Sequence, residues 1–493
     1  MIHHQKPRKW PWVLLAIFIL VAGSVWFAYT WLTQLSPENI LNSEFVKKYV
    51  ADELGEEKAE LFSQLPELMG FSEPKTYLFL FLNNTELRPG GGFIGSYATI
   101  RMDKGNMEIL AMEGTEGIDR NAPDSFKPKP PQILLDHLGV DRWYFRDSNW
   151  SPDFAVSAQK SLELYAGENG VASSDIDAVL GITTTVLEEL MKITGPFEIQ
   201  GINFSADTVI EKLEYEVEYG YDDKGLHFFE RKQIIKPFMR ALMDHLKSDV
   251  FKNMSAYQDV FTTLTHEKHI MVYARDPGVQ KIVVANNLSG EMNSTSGDYL
   301  MWVDANLAAL KTDHALTRNL TYVINRHEAD ERYASPYYIA GVTMKYTHAG
   351  VFDWRTTRYR TYARVFVPQG SELISTAGSM RWDRTTDSGK IDSGVENGKQ
   401  WFGTFIAIEP GKVGKLTFEY RLPDSVATII EQNQYSLTVQ KQLGTIAHGL
   451  TFDLNFDKTI RSAKPAEEQK HWGDMKYQLV TDLRVDREFM VSL

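Results

Sequence analysis

Apolar and polar positions are spread unevenly along this chain. From Trp10 to Pro37 no charged residue occurs, and Val13–Tyr29 is almost wholly apolar. About 20 such residues cross a bilayer as a helix. Trp10 and Trp12 on one side, with Tyr29 and Trp31 on the other, suit the two membrane interfaces. Lys6, Arg8 and Lys9 precede the span and place the short N-terminus in the cytoplasm. The apolar run continues to Leu32, longer than a cleaved signal peptide needs. The pattern therefore predicts residues 1–36 to be a cytoplasmic tail and an uncleaved plasma-membrane anchor. Residues 11–35 would contact the lipid bilayer, and the rest of the chain would be extracytoplasmic.

Over residues 37–70, Phe45, Tyr49, Leu54, Leu61, Leu65 and Leu68 recur at helical spacing and predict a stalk. Tyr77–Leu82 is a continuous apolar run, as in a strand buried on both faces. Ser96–Met102 and Asn106–Met112 read as strands paired across Asp103-Lys104-Gly105. Ser151-Pro152-Asp153 places a cap, a first-turn proline and an acid before a helix at Ala155–Tyr165. A strand at Asp177–Gly181, a helix at Thr183–Ile193 and a strand at Phe197–Ile199 follow. Ser205 opens another helix, Arg231–Leu246 is strongly helical, and His269–Ala274 fits a strand or a helix end. This alternation predicts a three-layer α/β/α domain over residues 71–315. Beyond it, β-rich segments from Leu320–Ile324 to Leu450–Phe456, separated by turns such as Pro368-Gln369-Gly370, predict a C-terminal antiparallel β-sandwich over residues 316–493.

Composition narrows the function classes. The 493 residues are 43% hydrophobic and 24% charged, as in ordinary globular proteins. Fifty-two Lys and Arg against 65 Asp and Glu give −13, which argues against nucleic acid as a partner. Without the three N-terminal cations, 49 basic residues face 65 acidic ones, a balance of −16. The absence of cysteine removes disulfides, thiolate metal sites and thiol nucleophiles. No G-x-S-x-G occurs, so a nucleophile-elbow hydrolase is disfavoured. His266 and His269 lack H-E-x-x-H spacing and read as a solvated helix end.

Against that acidic background two arginine-bearing segments stand out. In Arg88-Pro89-Gly90-Gly91-Gly92-Phe93-Ile94-Gly95-Ser96, three glycines satisfy G-x-G-x-x-G. A strand rather than a helix follows, which rejects a dinucleotide site, and Ser96 stands where a Walker loop needs lysine. Two readings stay open: a tight bend between strands, or a backbone-lined pocket at Gly90, Gly91 and Gly92 with Arg88 beside it. The second segment, Asp141–Asp153, mixes Arg146, Asp147, Asn149 and Asp153 with aromatics. It could hold a phosphate or a sugar. It could equally be an internal Arg–Asp network with Asn149 or Ser151 capping the helix. Arg120 is a further candidate cation in this region.

Asn83–Tyr97, around Glu86-Leu87-Arg88-Pro89-Gly90-Gly91-Gly92-Phe93, resembles the signature of a bacterial family of unknown function numbered four-zero-one-two. Asp147–Phe154, Thr194–Ile199, Val303–Leu307, Tyr362–Ser371 and Val439–Gly444 look like its further motifs. More distantly, the order of features is similar to that of LytR-CpsA-Psr phosphotransferases. Those membrane-anchored enzymes move glycopolymers from a polyprenyl-pyrophosphate carrier to the cell wall, with arginines around the pyrophosphate and usually Mg2+. The resemblance puts Arg88 near the first such arginine, Asn149 near a Lys-x-Asn turn and Thr194-Gly195-Pro196-Phe197 at a Gly-Gly-Val. It departs where Ser96-Tyr97 replaces Asp-Thr, and where Met112-Glu113-Gly114-Thr115 replaces Ser-x-Pro-Arg-Asp. The expectation is an envelope protein that binds or transfers a lipid-linked phosphorylated glycopolymer, gripped by Arg88, Arg120, Arg146 and Asn149. The alternative is a non-catalytic surface scaffold or adhesion protein that binds through the sandwich.

Overall fold

A computed structural model describes residues 65–227, 231–249 and 252–493. The expected anchor and most of the expected stalk lie outside the described residues. Among the described residues no helix is long and apolar enough to cross a membrane.

The first sheet has five strands: β1 (Lys75–Asn83), β2 (Phe93–Asp103), β3 (Asn106–Gly114), β4 (Ile176–Thr183) and β7 (Ile270–Ala274). Their order is β3-β2-β1-β4-β7, and only β1 and β4 run parallel. The β2–β3 hairpin closes where the sequence places it. Asp103 pairs with Asn106, and Lys104 and Gly105 between them have φ of 49° and 79°. Positive φ at both central residues matches the right-handed twist of the strands. Phe197–Ile199 and Ile202–Phe204 (β5 and β6) form a separate small hairpin.

Alternation along β1 sends its side chains to two different cores. Leu78, Leu80 and Leu82 pack with Phe145 and with Phe154, Ala158 and Leu162 of helix α2 (Phe154–Gly167); α1 (Thr115–Arg120) adds Ile118. Tyr77 and Phe79 face the other way. They meet Val186 and Leu190 of α3 (Thr185–Thr194), Val209 and Ile210 of α4 (Val209–Tyr215), and Phe238 and Leu242 of α5 (Ile235–Asp249). Phe261 of α6 (Met254–His266) and Val283 of α7 (Pro277–Ala285) complete that side. Each side chain taken fully from water contributes ~1.5–3 kcal/mol, so a doubly covered sheet is a strong organising element. The helix expected after Ser151 starts at Phe154, and its cap is Asp153, whose Oδ1 accepts from the Val156 amide at 3.1 Å. His269 is buried rather than solvated, with Nδ1 2.9 Å from the Thr183 hydroxyl.

The β-rich half is two facing sheets. One is ordered β12 (Glu372–Ala377), β15 (Val413–Arg421), β10 (Tyr337–His348), β9 (Leu316–His327), β17 (Gly449–Asn455), β19 (Lys476–Asp482). The other is β13 (Asp392–Glu396), β14 (Lys399–Ile408), β11 (Tyr359–Pro368), β8 (Asp298–Asn306), β16 (Gln434–Val439), β20 (Arg487–Ser492), β18 (Ser462–Lys464). Trp302, Val365, Phe402 and Leu437 from the second sheet share one core with Tyr322, Met344, Phe418 and Phe452 from the first. Two features differ from the expected antiparallel sandwich. Strand β8 precedes the expected junction at residue 315 yet lies inside this half. The β8–β16 and β9–β17 pairings are parallel, because these partners are joined by long crossovers rather than hairpins.

Candidate functional site

The residues expected to grip phosphate do come together in part. Arg88 and Arg146 flank Asp147, with Arg88 Nε 3.6 Å from Oδ1 and Arg146 Nε 3.5 Å from Oδ2. Arg146 also reaches Asp119 at 2.8 Å and lies 4.3 Å from the centre of the Tyr144 ring. Burial withdraws Arg88 and Asp147 from solvent. Arg88 is 3% exposed, donates to the Asn306 carbonyl, pairs with Glu86 at 3.3 Å and packs on the Phe93 ring. Its own carbonyl accepts from Gln442 of the β-rich half at 3.2 Å.

The glycine cluster is the tight bend of the two readings left open. Gly91 and Gly92 have φ of +115° and +152°, and a Cβ on Gly92 would come within 2.6 Å of the Asn83 carbonyl. The Gly90 amide donates to the Asn149 carbonyl at 3.0 Å, and Asn149 Nδ2 returns a bond to the Gly92 carbonyl at 2.7 Å. A bridge from Gly90 to Leu443 covers the loop from the far end of the chain. Asp153 Oδ2 accepts from Met292 N and Asn397 Nδ2, each at 2.9 Å, so it staples the α/β part to the β-rich part. Arg120 lies at the exposed end of α1.

The open cavity lies on the opposite face of the five-stranded sheet, where the sequence reading placed no site residue. A space of about 410 Å³ runs between the sheet and α3, α4 and α5, within the ~300–1,000 Å³ span of small-molecule sites. Phe79 and Phe81 of β1, Ala98 and Ile100 of β2, and Met107, Ile109 and Met112 of β3 form one wall. Leu187, Leu190, Leu213, Phe238 and Met239 belong to the other. It adjoins a second, more polar cleft of about 740 Å³ lined by Ser96, Glu113, Gly114, Lys232, Lys236, Arg240 and Asp244. Ser96, Met112, Lys232, Ile235, Lys236, Arg240 and Asp244 line both spaces, so the two lie side by side.

Four cations stand at this mouth, and they differ in what holds them. Lys232 Nζ meets Glu116 Oε2 at 2.5 Å and also donates to the Gly95 carbonyl. Burial pushes its ammonium below the usual range, and Glu116 opposes that shift. Burial alone would raise the Glu116 carboxyl, but Lys232 beside it holds it below its ordinary value. Arg231 bridges Glu116 at 3.3 Å and Glu218 at 3.0 Å. Lys236 and Arg240 are exposed and four residues apart on α5, so they project from one face of the helix. The signal for this mouth was present in the sequence as Arg231, Lys232, Lys236 and Arg240 in a segment read as helical. Its partners on β2 and β3 are more than 100 residues away.

The donor set does not fit the magnesium ion that the phosphotransferase resemblance implies. Ser96 and Tyr97 occupy the carboxylate position, and Tyr97 donates its hydroxyl to Glu113 at 2.5 Å. Among the described residues no group of three or more His, Asp or Glu side chains could hold a metal.

Fold and site together define a mixed α/β protein with a β-rich C-terminal half and an apolar cavity beside a charged cleft. Residues 72–218 match the model of a family described as a protein of unknown function (DUF4012), the family resembled by the motifs at Asn83–Tyr97, Asp147–Phe154 and Thr194–Ile199 within that stretch. The matched stretch holds the glycine loop and one wall of the cavity but stops short of Lys232, Lys236 and Arg240. No curated protein matches the chain. A Legionella pneumophila structure named for nutrient binding aligns at 5% identity and TM-score 0.26, covering 40% of this chain and 71% of that one. A Deinococcus radiodurans M1 zinc metallopeptidase aligns at 10% identity and TM-score 0.14, covering 36% and 42%. Neither likeness bears on fold or function.

Proposed function

We propose that this protein binds a lipid-linked phosphorylated glycan at the extracytoplasmic face of the bacterial membrane. The isoprenoid tail would enter the cavity beneath the five-stranded sheet, and the phosphate would sit in the cleft at its mouth. The observation that carries this reading is an apolar space lying against a charged cleft that exposes Lys236 and Arg240. Apolar walls give a chain of methylene and methyl groups its transfer free energy, on the order of 0.8 kcal/mol per buried CH2. Lys236 and Arg240 supply charge where the tail would end, and Glu116 keeps Arg231 and Lys232 in place behind them. The similarity to LytR-CpsA-Psr phosphotransferases supports an isoprenoid carrier over other lipids. The proposal is binding, since the residues of the cleft supply no metal site for transfer.

Farnesyl phosphate is a probe small enough for the cavity. It should bind the full-length protein, while farnesol, without the phosphate, should bind more weakly. Reversing both exposed cations, Lys236→Glu with Arg240→Glu, should weaken farnesyl phosphate binding by about tenfold or more, since ~1.4 kcal/mol is tenfold in affinity. Farnesol affinity should not change. Competition against an environment-sensitive fluorescent fatty acid measures both. No saturable binding of either probe, or equal loss for both in the variant, would refute the reading.

A further inference from the structure

A second recognition surface lies on the outer side of the cavity wall. Leu213 and Val217 face the cavity, whereas Tyr215 and Tyr219 face outward at 40% and 46% exposure. Their rings stack at 6.0 Å with 26° between planes. Trp354, from the loop before β11, stands nearly perpendicular to both, at 5.4 Å and 85° from Tyr215 and 5.8 Å and 82° from Tyr219. The three rings meet in a right-angled corner, and Phe352 is 62% exposed two residues before the tryptophan.

Carboxylates outnumber cations around the corner. Glu211 is four residues before Tyr215, Asp222 and Asp223 follow Tyr219 by three and four, and all three carboxylates are exposed. Asp353 adjoins the tryptophan and is exposed too. Of the cations nearby, Arg355 meets Glu214 at 2.6 Å, Lys224 meets Glu216 at 2.5 Å, and Lys212 donates to the Asn203 carbonyl. Aromatic faces carry negative potential and attract a cation held over them. Perpendicular rings present that potential from two directions, and the carboxylates deepen it. An anionic ligand would be repelled here, and a purely apolar one would gain nothing from the carboxylates.

From this we infer that the Tyr215–Tyr219–Trp354 corner binds an alkylated ammonium group. The ligand class is a trimethylammonium compound or a similarly substituted amine, recognised by ring faces with carboxylates behind them. The site is separate from the cavity, on the far side of the same wall, so it does not depend on what the cavity holds.

The test is calorimetric titration of the full-length protein, in a detergent without choline head groups, with choline and with its neutral isostere 3,3-dimethyl-1-butanol. Choline should bind and the isostere should bind at least tenfold more weakly, a comparison that needs no variant. Trp354→Ala should cost choline binding at least tenfold, and Trp354→Phe should retain part of it. Farnesyl phosphate binding should be unchanged in both. Equal binding of choline and its isostere would overturn the assignment, as would no choline binding, or choline binding indifferent to Trp354→Ala. Binding of methyl glucoside without choline would overturn it in favour of a sugar platform.

Discussion

Arg88→Ala is expected to lower the free energy of unfolding by about 3–5 kcal/mol, the usual cost of removing one partner from a buried ion pair. The substitution strips the Asn306 carbonyl and Glu86 of a donor and leaves Asp147, itself 4% exposed, beside Arg146 alone. It also empties the space against Phe93 at the seam with the β-rich half. Urea denaturation of the purified protein measures the loss. The double substitution Arg88→Met with Asp147→Leu should recover part of it, because replacing a whole buried pair by apolar side chains is far less costly than orphaning one charge. A ligand-gripping arginine would behave otherwise. Its removal would weaken binding and leave stability nearly untouched, so a loss below about 1 kcal/mol, in the range of exposed pairs, would sink the structural role.

Arg88 also shows how far the sequence could be read. Residue chemistry correctly marked it as anion-seeking, but its anions, Glu86 and Asp147, belong to the same chain. Local signals carried well. The turn residues Lys104-Gly105 set the β2–β3 hairpin, and the apolar run Tyr77–Leu82 is the doubly buried β1. Strand β8 was not legible because Asp298, Asp304 and Asn306 make it look like surface. All nine of its residues are buried, and its acids are satisfied from distant elements. Asp298 accepts from the hydroxyls of Tyr322 at 2.7 Å and Tyr435 at 2.6 Å, and burial pushes its carboxyl up to about 6. Asp304 accepts from Arg318 at 2.8 Å and from Tyr346 at 2.6 Å. Alternation of apolar and polar residues cannot reveal a strand whose polar side chains find partners inside a core. The cavity escaped for a related reason. Its walls are ordinary core residues in sequence, and only the gap left between sheet and helices distinguishes them.

The carboxyl pair behind Arg146 leads to a pH effect of known sign. Glu168 is 2% exposed, and its Oε1 accepts from the Phe145 amide at 3.0 Å. Burial, followed by repulsion from Asp119, pushes its carboxyl up to about 8. Burial raises Asp119 as well, to about 6, although Arg146 works against that shift. The folded protein thus retains a proton on this pair across a range where the unfolded chain, near the ordinary carboxyl value, has lost it. Unfolding then releases protons, so stability falls as pH rises from about 5 to about 8, by ~1.4 kcal/mol per unit for each proton released. Glu168→Gln removes the titration while keeping an oxygen for the Phe145 amide. The variant should match or slightly exceed the parent at pH 5 and unfold several degrees higher than the parent at pH 8. The difference between their thermal midpoints should widen steadily between those limits. A constant difference across that range would mean that Glu168 is already ionised in the fold. Arg146 would then have to neutralise both Asp119 and Glu168, a demand that its 2.8 Å contact with Asp119 alone does not meet.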